Sequence, residues 1–512
     1  MFCILAPPVF NYSGMNKIIV GTVMAGLVVL PASSGAQHRT KRAEEEPKTE
    51  IQQLLEEADS SDTPVIITLE QALEIALSEN LSVQIADKEI ERTGYARKGT
   101  YASLFPQIDV TGNYQRTIKK QVMYMDIDMS SMMPGGGDTS GGDTPGGEGG
   151  ASEAPSMDGG LEVGRWNTWN AGVSVAMPVV NAQLWKSIRI SGKDVELAVE
   201  KARASRLDMV TQVKSAYFST LLAKEAFQVY KEVYENAVKN FEETEKKYNA
   251  QKASELDLTR AKTTVANAVP NVYNAESSVI LSLWQLKAVL GVDFDANIDI
   301  AGSLEDYSET MFRDIYQHDS VSLDRNTTMK QLAIQAEQLA ETIKLQKYAY
   351  IPTLSAAFSF SVNAMANDFK FNQYHWTPYS YVGVSLSIPI FSGGKRYNDV
   401  RQAKNTYQQV QLQTVNTERQ LRISIRQNLT TMETNMKSYY AAQEAVASAQ
   451  KGYDIAERSY QVGRSTLIEL NDAQLALTQA KLSQSQAVYN FVIAKAQLEQ
   501  TIGYDFISED NQ

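Results

Sequence analysis

The segment Tyr381 to Gly394 constrains the fold of this chain more than any other. Between Val382 and Ile388, apolar residues alternate with small or polar ones, and this period of two puts each set on its own face of a strand. Pro389 ends the ladder because it has no N–H group to donate. Helical character then continues for about 70 residues, on the order of 100 Å, which is longer than a globular domain needs. The sequence therefore predicts a strand with a lipid-compatible face that leads into a very long helix.

Three other segments show the same alternation beside a proline. Pro106 opens the first and Pro352 opens the third, whereas Pro178 closes the second and Pro389 closes the fourth. We interpret these four prolines as strand–helix junctions. The four predicted strands form two hairpins along the chain, so the predicted fold class is α+β.

The chain also repeats itself. Tyr248 and Tyr460 are 212 positions apart, and Leu290-Gly291 returns as Ile502-Gly503 at the same offset. A repeat of this length indicates duplication of a unit made of a helix, a hairpin, a long helix and a short helix. We predict a first repeat over 67–290, an equatorial connecting segment over 291–326, a second repeat over 327–505 and a tail over 506–512.

The predicted helices come in two lengths. A capping box formed by Thr68 and Gln71 begins a helix that runs towards Tyr101. The first long helix, Asn181 to Ala250, carries two apolar stripes and is expected to pack against neighbours on both sides, as in a sheet or barrel of helices. One broad core face in a four-helix bundle fits the same periodicity. Two short helices laid end to end approach one long helix in length, which gives four columns per chain.

The chain begins with features of a targeting segment. Lys17 precedes the apolar run Ile18 to Leu30, and Ser34-Gly35-Ala36 resembles a cleavage site. The run, about 13 residues, is shorter than the roughly 20 that span a bilayer. We expect a signal peptide over 1–36, with translation starting at Met15.

Two polar segments are expected to be solvated. The charged stretch 37–66 reads as a mobile N-terminal extension because it is poor in apolar residues. The Gly-rich stretch 130–160 lies between the first two strands and is predicted to form the tip of their hairpin. Because the other end of that hairpin leads to the helices, we expect the tip to lie outside the cell.

Composition argues against several classes of function. The formal net charge is −12 with a pI near 5.1, and no Lys/Arg-rich block favours a nucleic-acid partner. Cys3 is the single cysteine, and the three histidines lie far apart without metal-ligand spacing. We find no nucleophile–base pair and no phosphate-binding loop. The chain is therefore predicted not to be an enzyme and to need no metal or cofactor.

Four strands cannot sit in lipid as an open sheet, because each unpaired edge N–H or C=O group costs several kcal/mol. Bacterial outer-membrane barrels start at about eight strands, so several chains must contribute, and three chains would give twelve strands. Two alternatives stay open at this point. One is a pair of water-soluble hairpins packed on the helices, and the other is a soluble coiled-coil scaffold or surface adhesin.

Four motifs carry a resemblance to a known family over about residues 65 to 505. They are Thr-Leu-Glu-Gln-Ala-Leu-Glu-Ile-Ala-Leu at 68–77, Phe-Pro-Gln-Ile at 105–108, Ile-Pro-Ile-Phe-Ser-Gly-Gly at 388–394 and Ser-Tyr-Gln-Val-Gly-Arg-Ser-Thr-Leu-Ile-Glu-Leu at 459–470. The chain resembles the TolC-like outer-membrane efflux channels, the outer membrane factors of tripartite efflux and type I secretion systems.

The resemblance implies a homotrimer in the outer membrane of a Gram-negative cell. Its twelve-stranded transmembrane β-barrel, with four strands per chain, would be continuous with a periplasmic α-helical barrel. The implied partners are outer-membrane lipid, a periplasmic membrane-fusion adaptor and an inner-membrane transporter. The implied function is the exit duct of a drug efflux pump, with the channel of a type I protein secretion system as the alternative.

The resemblance also implies a gate at the periplasmic end. Glu469 and Asp472 match the acids that narrow the entrance, and Gly463 matches the turn between the last two helices. Tyr460 and Asp257 match a tyrosine and an acid that meet in the closed state. The family's basic turn residue falls at Ser465, so Arg464 stands one place earlier, and Gln251 replaces the first-half glycine. A solvated helix start favoured by the helix dipole explains the two acids equally well.

Overall fold

A computed structural model describes residues 64–123, 161–309, 311 and 322–504. The predicted signal peptide, the Gly-rich segment 130–160, the tail 506–512 and the charged extension up to residue 63 lie outside these residues. The elements in chain order are β1 (Val65–Ile67), α1 (Leu69–Glu79), α2 (Leu81–Ala102), β2 (Gln107–Arg116), β3 (Gln121–Met123), β4 (Leu161–Val163), β5 (Asn167–Val180), α3 (Ala182–Asn249), α4 (Glu255–Leu290), β6 (Ile298–Ile300), α5 (Thr327–Tyr348), β7 (Thr353–Ala366), β8 (Thr377–Ser387), α6 (Lys395–Gln461) and α7 (Leu467–Ile502).

The four predicted strands exist and form one antiparallel sheet in the order β2-β5-β7-β8. Its register places the apolar sets of all four strands on one face, as shown by the cross-strand row Ile108, Val175, Phe358 and Val382. The neighbouring row, on the opposite face, is Asp109, Ser174, Ser359 and Tyr381. The apolar face is uncovered at both edges, where Val110 is 71% and Val382 is 80% exposed.

Pro178 corrects one predicted boundary. It lies inside β5 opposite Ser355, next to a register shift, and the strand continues to Val180. The ladder between β5 and β2 stops where Ala176 pairs with Gln107. At Pro178, therefore, β5 pairs with β7 and no longer with β2. The missing N–H group of the proline interrupts no hydrogen bond to β2. The other three prolines lie just outside the strands, as predicted.

The long helices match their predicted positions. Helix α3 has 68 residues and α6 has 67, which is about 100 Å each at 1.5 Å per residue. The Asn181 side chain caps α3 by accepting a hydrogen bond from Leu184 N at 3.1 Å. In the described part of the chain, no helix is both long enough and apolar enough to cross a bilayer.

The short helices are stacked end to end by two asparagine caps. Asn80 caps α2 by accepting from Ser82 N at 2.7 Å, and its amide donates to the Val289 carbonyl near the end of α4 at 2.8 Å. In the second half, Asn326 caps α5 and donates to Thr501 O at 2.6 Å. The Asn80 cap also breaks the helix that was predicted to run from residue 69 towards Tyr101, so that prediction is corrected to two helices, α1 and α2.

The helices pack as four columns, in the order α2 with α4, then α3, then α5 with α7, then α6. Helix α3 contacts columns on both sides, whereas α6 packs mainly on α5 and α7. This arrangement is the predicted sheet of helices rather than a four-helix bundle. The columns follow the strand order of the sheet, and each outer column has a free side within the chain.

A small parallel sheet at mid-height corrects the predicted start of the fold. Val65 and Ile66, assigned to the mobile extension, lie in β1 and pair with β6. The buried Tyr217 of α3 fixes both strands, since its hydroxyl lies 2.7 Å from Ala301 O and 3.2 Å from Ile67 O. Burial raises the pKa of Tyr217 to about 12. The first strand of the fold therefore begins at Val65, within the stretch 37–66 that is predicted to be a mobile extension.

Candidate functional site

The candidate site comprises the two turns at the far end of the long helices, away from the sheet. The first turn, residues 250–254, joins α3 to α4, and the second turn, residues 462–466, joins α6 to α7. Both have the same backbone hydrogen bonds at an offset of 212 residues. In the first turn, Ala250 N donates to Lys246 O, Gln251 N to Tyr248 O and Lys252 N to Lys247 O. In the second turn, Val462 N donates to Arg458 O, Gly463 N to Tyr460 O and Arg464 N to Ser459 O.

Each turn contains one residue with a left-handed backbone. Gly463 has φ of 73° and Gln251 has φ of 57° at the equivalent place. Glycine adopts this conformation without cost, whereas an L-residue with a side chain loses about 1–2 kcal/mol. The departure at Gln251 noted in the sequence therefore changes the strain of the turn and leaves its shape intact.

Each turn also ends in a capping box that engages its acidic residue. Ser254 caps α4, and its hydroxyl donates to the Asp257 carboxylate at 2.7 Å. Thr466 caps α7, and its backbone N–H donates to Glu469 at 3.0 Å. A hydrogen bond from Ser465 and this backbone N–H hold the pKa of Glu469 below its ordinary value, although the carboxylate is exposed. Helix capping thus accounts for the positions of Asp257 and Glu469.

Tyr460 is the buried residue of the second turn. It is 8% exposed and packs with Leu467, Leu470 and Tyr453 in an apolar cluster. Its hydroxyl lies 2.5 Å from Thr244 Oγ1 of α3. Because the Thr244 hydroxyl hydrogen is used on the Asn240 carbonyl at 2.7 Å, Tyr460 acts as the donor. Burial raises the pKa of Tyr460.

The closed-state contact between Tyr460 and Asp257 that the resemblance implies is not a hydrogen bond in this structure. The Asp257 carboxylate is committed to the Ser254 cap, and the tyrosine hydroxyl is taken by Thr244. Asp257 contributes only as a nearby negative charge that favours the neutral phenol.

Lys247 is a contact of Tyr460 that the sequence did not reveal. Its ammonium donates to the Tyr460 carbonyl at 2.8 Å and lies 4.2 Å from the centre of the tyrosine ring. That carbonyl belongs to the last turn of α6, where main-chain acceptors lack helical partners and attract cations. We call Thr244, Lys247 and Tyr460 the latch. The sequence indicates the latch only weakly, through Thr244 and Lys247, two polar residues at helical spacing near the end of α3.

Gly463, Arg464 and Asp472, the other residues predicted at the gate, are exposed. Arg464 forms no ion pair with any described residue, and Asp472 lies one helical turn after Glu469 on α7. Among the described residues, no group of three or more His, Cys, Asp or Glu is arranged to hold a metal ion. The arrangement offers carboxylates, a latch between α3 and α6, and an amphipathic sheet at the other end.

A sheet with one apolar face, continued by a layer of helix columns that ends in two turns, is the architecture expected of a membrane channel protein. The comparisons with known proteins agree with this class. The outer membrane efflux protein family matches residues 72–292 and 320–504, and the chain belongs to this family. The predicted outer-membrane location is confirmed at the level of the family.

Relatives and solved structures point the same way. Outer membrane protein TolC of Escherichia coli strain K12 is 20% identical over 345 residues, which cover 66% of this chain and 70% of TolC. The alkaline protease secretion protein AprF of Pseudomonas aeruginosa is 20% identical over 340 residues, covering 65% and 69%. The Campylobacter jejuni CmeC outer membrane channel matches in structure with a TM-score of 0.62 at 18% identity, covering 85% of each chain. The fold is therefore that of outer membrane channels used in efflux and in secretion.

Proposed function

We propose that this chain forms the outer-membrane exit duct of a tripartite efflux pump. Three copies would close a twelve-stranded barrel that continues into a periplasmic tunnel of helices. Small molecules would pass through it from an adaptor and an inner-membrane transporter to the outside. The observation that carries the proposal is the sheet, which combines one uncovered apolar face with two edge strands, β2 and β8, that each have one partner among the described strands.

An aromatic cluster at the outer end of the sheet supports a membrane position. Tyr114 and Trp169 stack with ring centres 4.2 Å apart, and Phe371 lies 5.0 Å from Trp169. Transmembrane barrels have aromatic girdles where the apolar band meets the headgroups, because an aromatic ring with a polar group suits that boundary.

The gate at the periplasmic end is also part of the proposal. With three copies around one axis, Glu469 and Asp472 would place six carboxylates at a narrow opening. Like charges held close together repel each other and attract cations, and a low-dielectric wall strengthens both effects. We expect cation preference and block by divalent or trivalent cations from the periplasmic side. Replacing both acids by alanine should weaken the block, and unchanged block would place the constriction elsewhere.

Mass measurement in mild detergent, followed by recording in planar bilayers, tests the proposal. We expect three chains per particle and ion conduction by the purified protein. A stable folded monomer in lipid, or trimers that never conduct, would contradict it.

The topology has a separate test. Protease added to intact cells should cut within the Gly-rich segment 130–160 without abolishing export. Cleavage that occurs only after lysis would reverse the proposed orientation.

Type I protein secretion is the second candidate function, favoured by the similarity to AprF. Deletion of the gene separates the two candidates. An efflux duct predicts greater sensitivity to small toxic compounds with an unchanged set of secreted proteins. A secretion channel predicts the loss of a secreted protein from the medium.

A further inference from the structure

The two halves of the chain meet along a seam, the contact of α3 with α5, α6 and α7, that is rich in ion pairs. Two pairs along it are nearly buried: Lys186–Glu341 at 2.7 Å and Lys214–Glu499 at 2.5 Å. Three more bridges cross it, namely Lys193–Glu337, Lys481–Glu232 and Lys239–Glu457. The seam is therefore held together by charge as well as by packing.

The duplication lets this internal seam serve as a template for the contact between copies. Helices α4 and α7 both have 36 residues, and α2 and α5 both have 22. Helix α6 is the counterpart of α3, but only one side of α6 packs extensively on helices of its own chain. The free side of α6 corresponds to the side of α3 that forms the seam. A second copy that places its α2–α4 column there would continue the same layer of helices.

Each residue of a seam ion pair can then be compared with the residue at the equivalent position of the other repeat. Lys214 and Glu499 correspond to Arg426 and Lys287, which would repel each other. Glu232 and Lys481 correspond to Glu444 and Val269, and Lys193 and Glu337 correspond to Asn405 and Glu91. Lys186 and Glu341 correspond to Asn398 and Tyr95. Four of the five bridges therefore have no counterpart.

Only the fifth bridge has counterpart positions that also carry a lysine and a glutamate. Lys239 on α3 pairs with Glu457 on α6 at 2.8 Å, close to the turns. Its counterparts, 212 residues away in each case, are Lys451 on α6 and Glu245 on α3. Both counterparts are exposed, and neither forms an ion pair with a described residue of its own chain. Exposed opposite charges thus lie at equivalent heights on α3 and α6, the two long helices of one chain.

We propose that Lys451 of one copy pairs with Glu245 of the neighbouring copy, and that this bridge closes the contact between copies near the turns. The partner is a second copy of this chain, docked with its α2–α4 column on the free side of α6. Its α3 then reaches α6 near the turns, as α3 reaches α6 within one chain. The proposal deepens the proposed function, because it relies on the same assembly of copies around an axis. It also makes the contact between copies poorer in ion pairs than the seam within each chain.

Crosslinking tests the pairing directly. Lys451→Cys and Glu245→Cys are combined with Cys3→Ser, which removes the single native cysteine. A short bismaleimide is the reagent, since Cα atoms more than about 7 Å apart cannot be joined by a disulfide. The double variant should give covalent dimers and trimers on a denaturing gel, and each single variant should stay monomeric. The matched control, Lys239→Cys with Glu457→Cys, should lose its free thiols without forming larger species.

Charge exchange provides a second readout. Lys451→Glu should lower the temperature at which the detergent particle dissociates, and adding Glu245→Lys should restore it. A monomeric band for the double cysteine variant, in particles that still weigh three chains and with a reactive internal control, would overturn the pairing and leave the channel intact. Particles of one chain in the unmodified protein would instead overturn the proposed function.

Discussion

The two turns share one backbone and differ in how tightly they are held. The first turn has a strained Gln251 and an exposed Tyr248, and the second has an unstrained Gly463 and a buried Tyr460. Lys247 reaches from α3 to α6, but its counterpart is Ser459, which has no comparable reach. Duplication therefore supplied two equal turns, and a few side chains made only the second one the docking point between the halves.

The largest expected difference lies between the two tyrosines. Tyr460→Ala should reduce the free energy of unfolding by about 3–5 kcal/mol, because it empties a buried aromatic site. Tyr248→Ala should change it by about 0.5 kcal/mol or less, since Tyr248 is 37% exposed. Chemical denaturation followed by circular dichroism measures both. Equal losses would show that the first turn is packed as tightly as the second.

Lys247 comes next. Lys247→Met removes the bond to the Tyr460 carbonyl and should cost about 1–2 kcal/mol, less than a fully buried charged hydrogen bond because the lysine is partly solvated. The matched change Ser459→Ala should cost almost nothing. Hydrogen exchange of the last turn of α6 reports the local effect, and unchanged exchange in Lys247→Met would remove this residue from the latch.

The left-handed position gives a smaller effect of opposite sign in the two turns. Gln251→Gly should stabilise the first turn by up to about 1 kcal/mol, because the relief of strain is partly cancelled by the greater freedom of the unfolded chain. Gly463→Gln should destabilise the second turn by about the same amount. Thermal melting of both variants checks the signs, and a loss of stability in Gln251→Gly would show that its side chain has a role.

The smallest effect concerns pH. The pKa of Glu469 lies below its ordinary value of 4.5, so the stability contributed by its carboxylate is present above that value and is lost only as pH falls through the lowered pKa. In an Asp472→Ala background, cation block by Glu469 should therefore persist at pH 4.5 and disappear at lower pH. Block that is already lost at pH 5 would mean that the capping box does not hold this carboxylate.

The sequence was sufficient for the elements that rest on local patterns. Alternation and proline located the four strands, and the predicted capping box at Thr68 begins a helix in the structure. The pairing of β5 with β7 and the caps at Asn80 and Asn326 join residues far apart in the chain, and no local pattern encodes them. The partner of Tyr460 was missed for the same reason, because Thr244 and Asp257 lie on different helices at similar distances along the chain.

Single-channel recording of latch variants tests whether Thr244, Lys247 and Tyr460, which hold the second turn against α3, also keep the channel closed. Purified protein with Tyr460→Phe and Lys247→Met is compared in planar bilayers with the unmodified protein and with Tyr248→Phe. We expect a clearly higher open fraction for the double latch variant and an unchanged one for Tyr248→Phe. Equal open fractions in all three proteins would contradict the latch, and a higher open fraction in Tyr248→Phe alone would assign closure to the first turn.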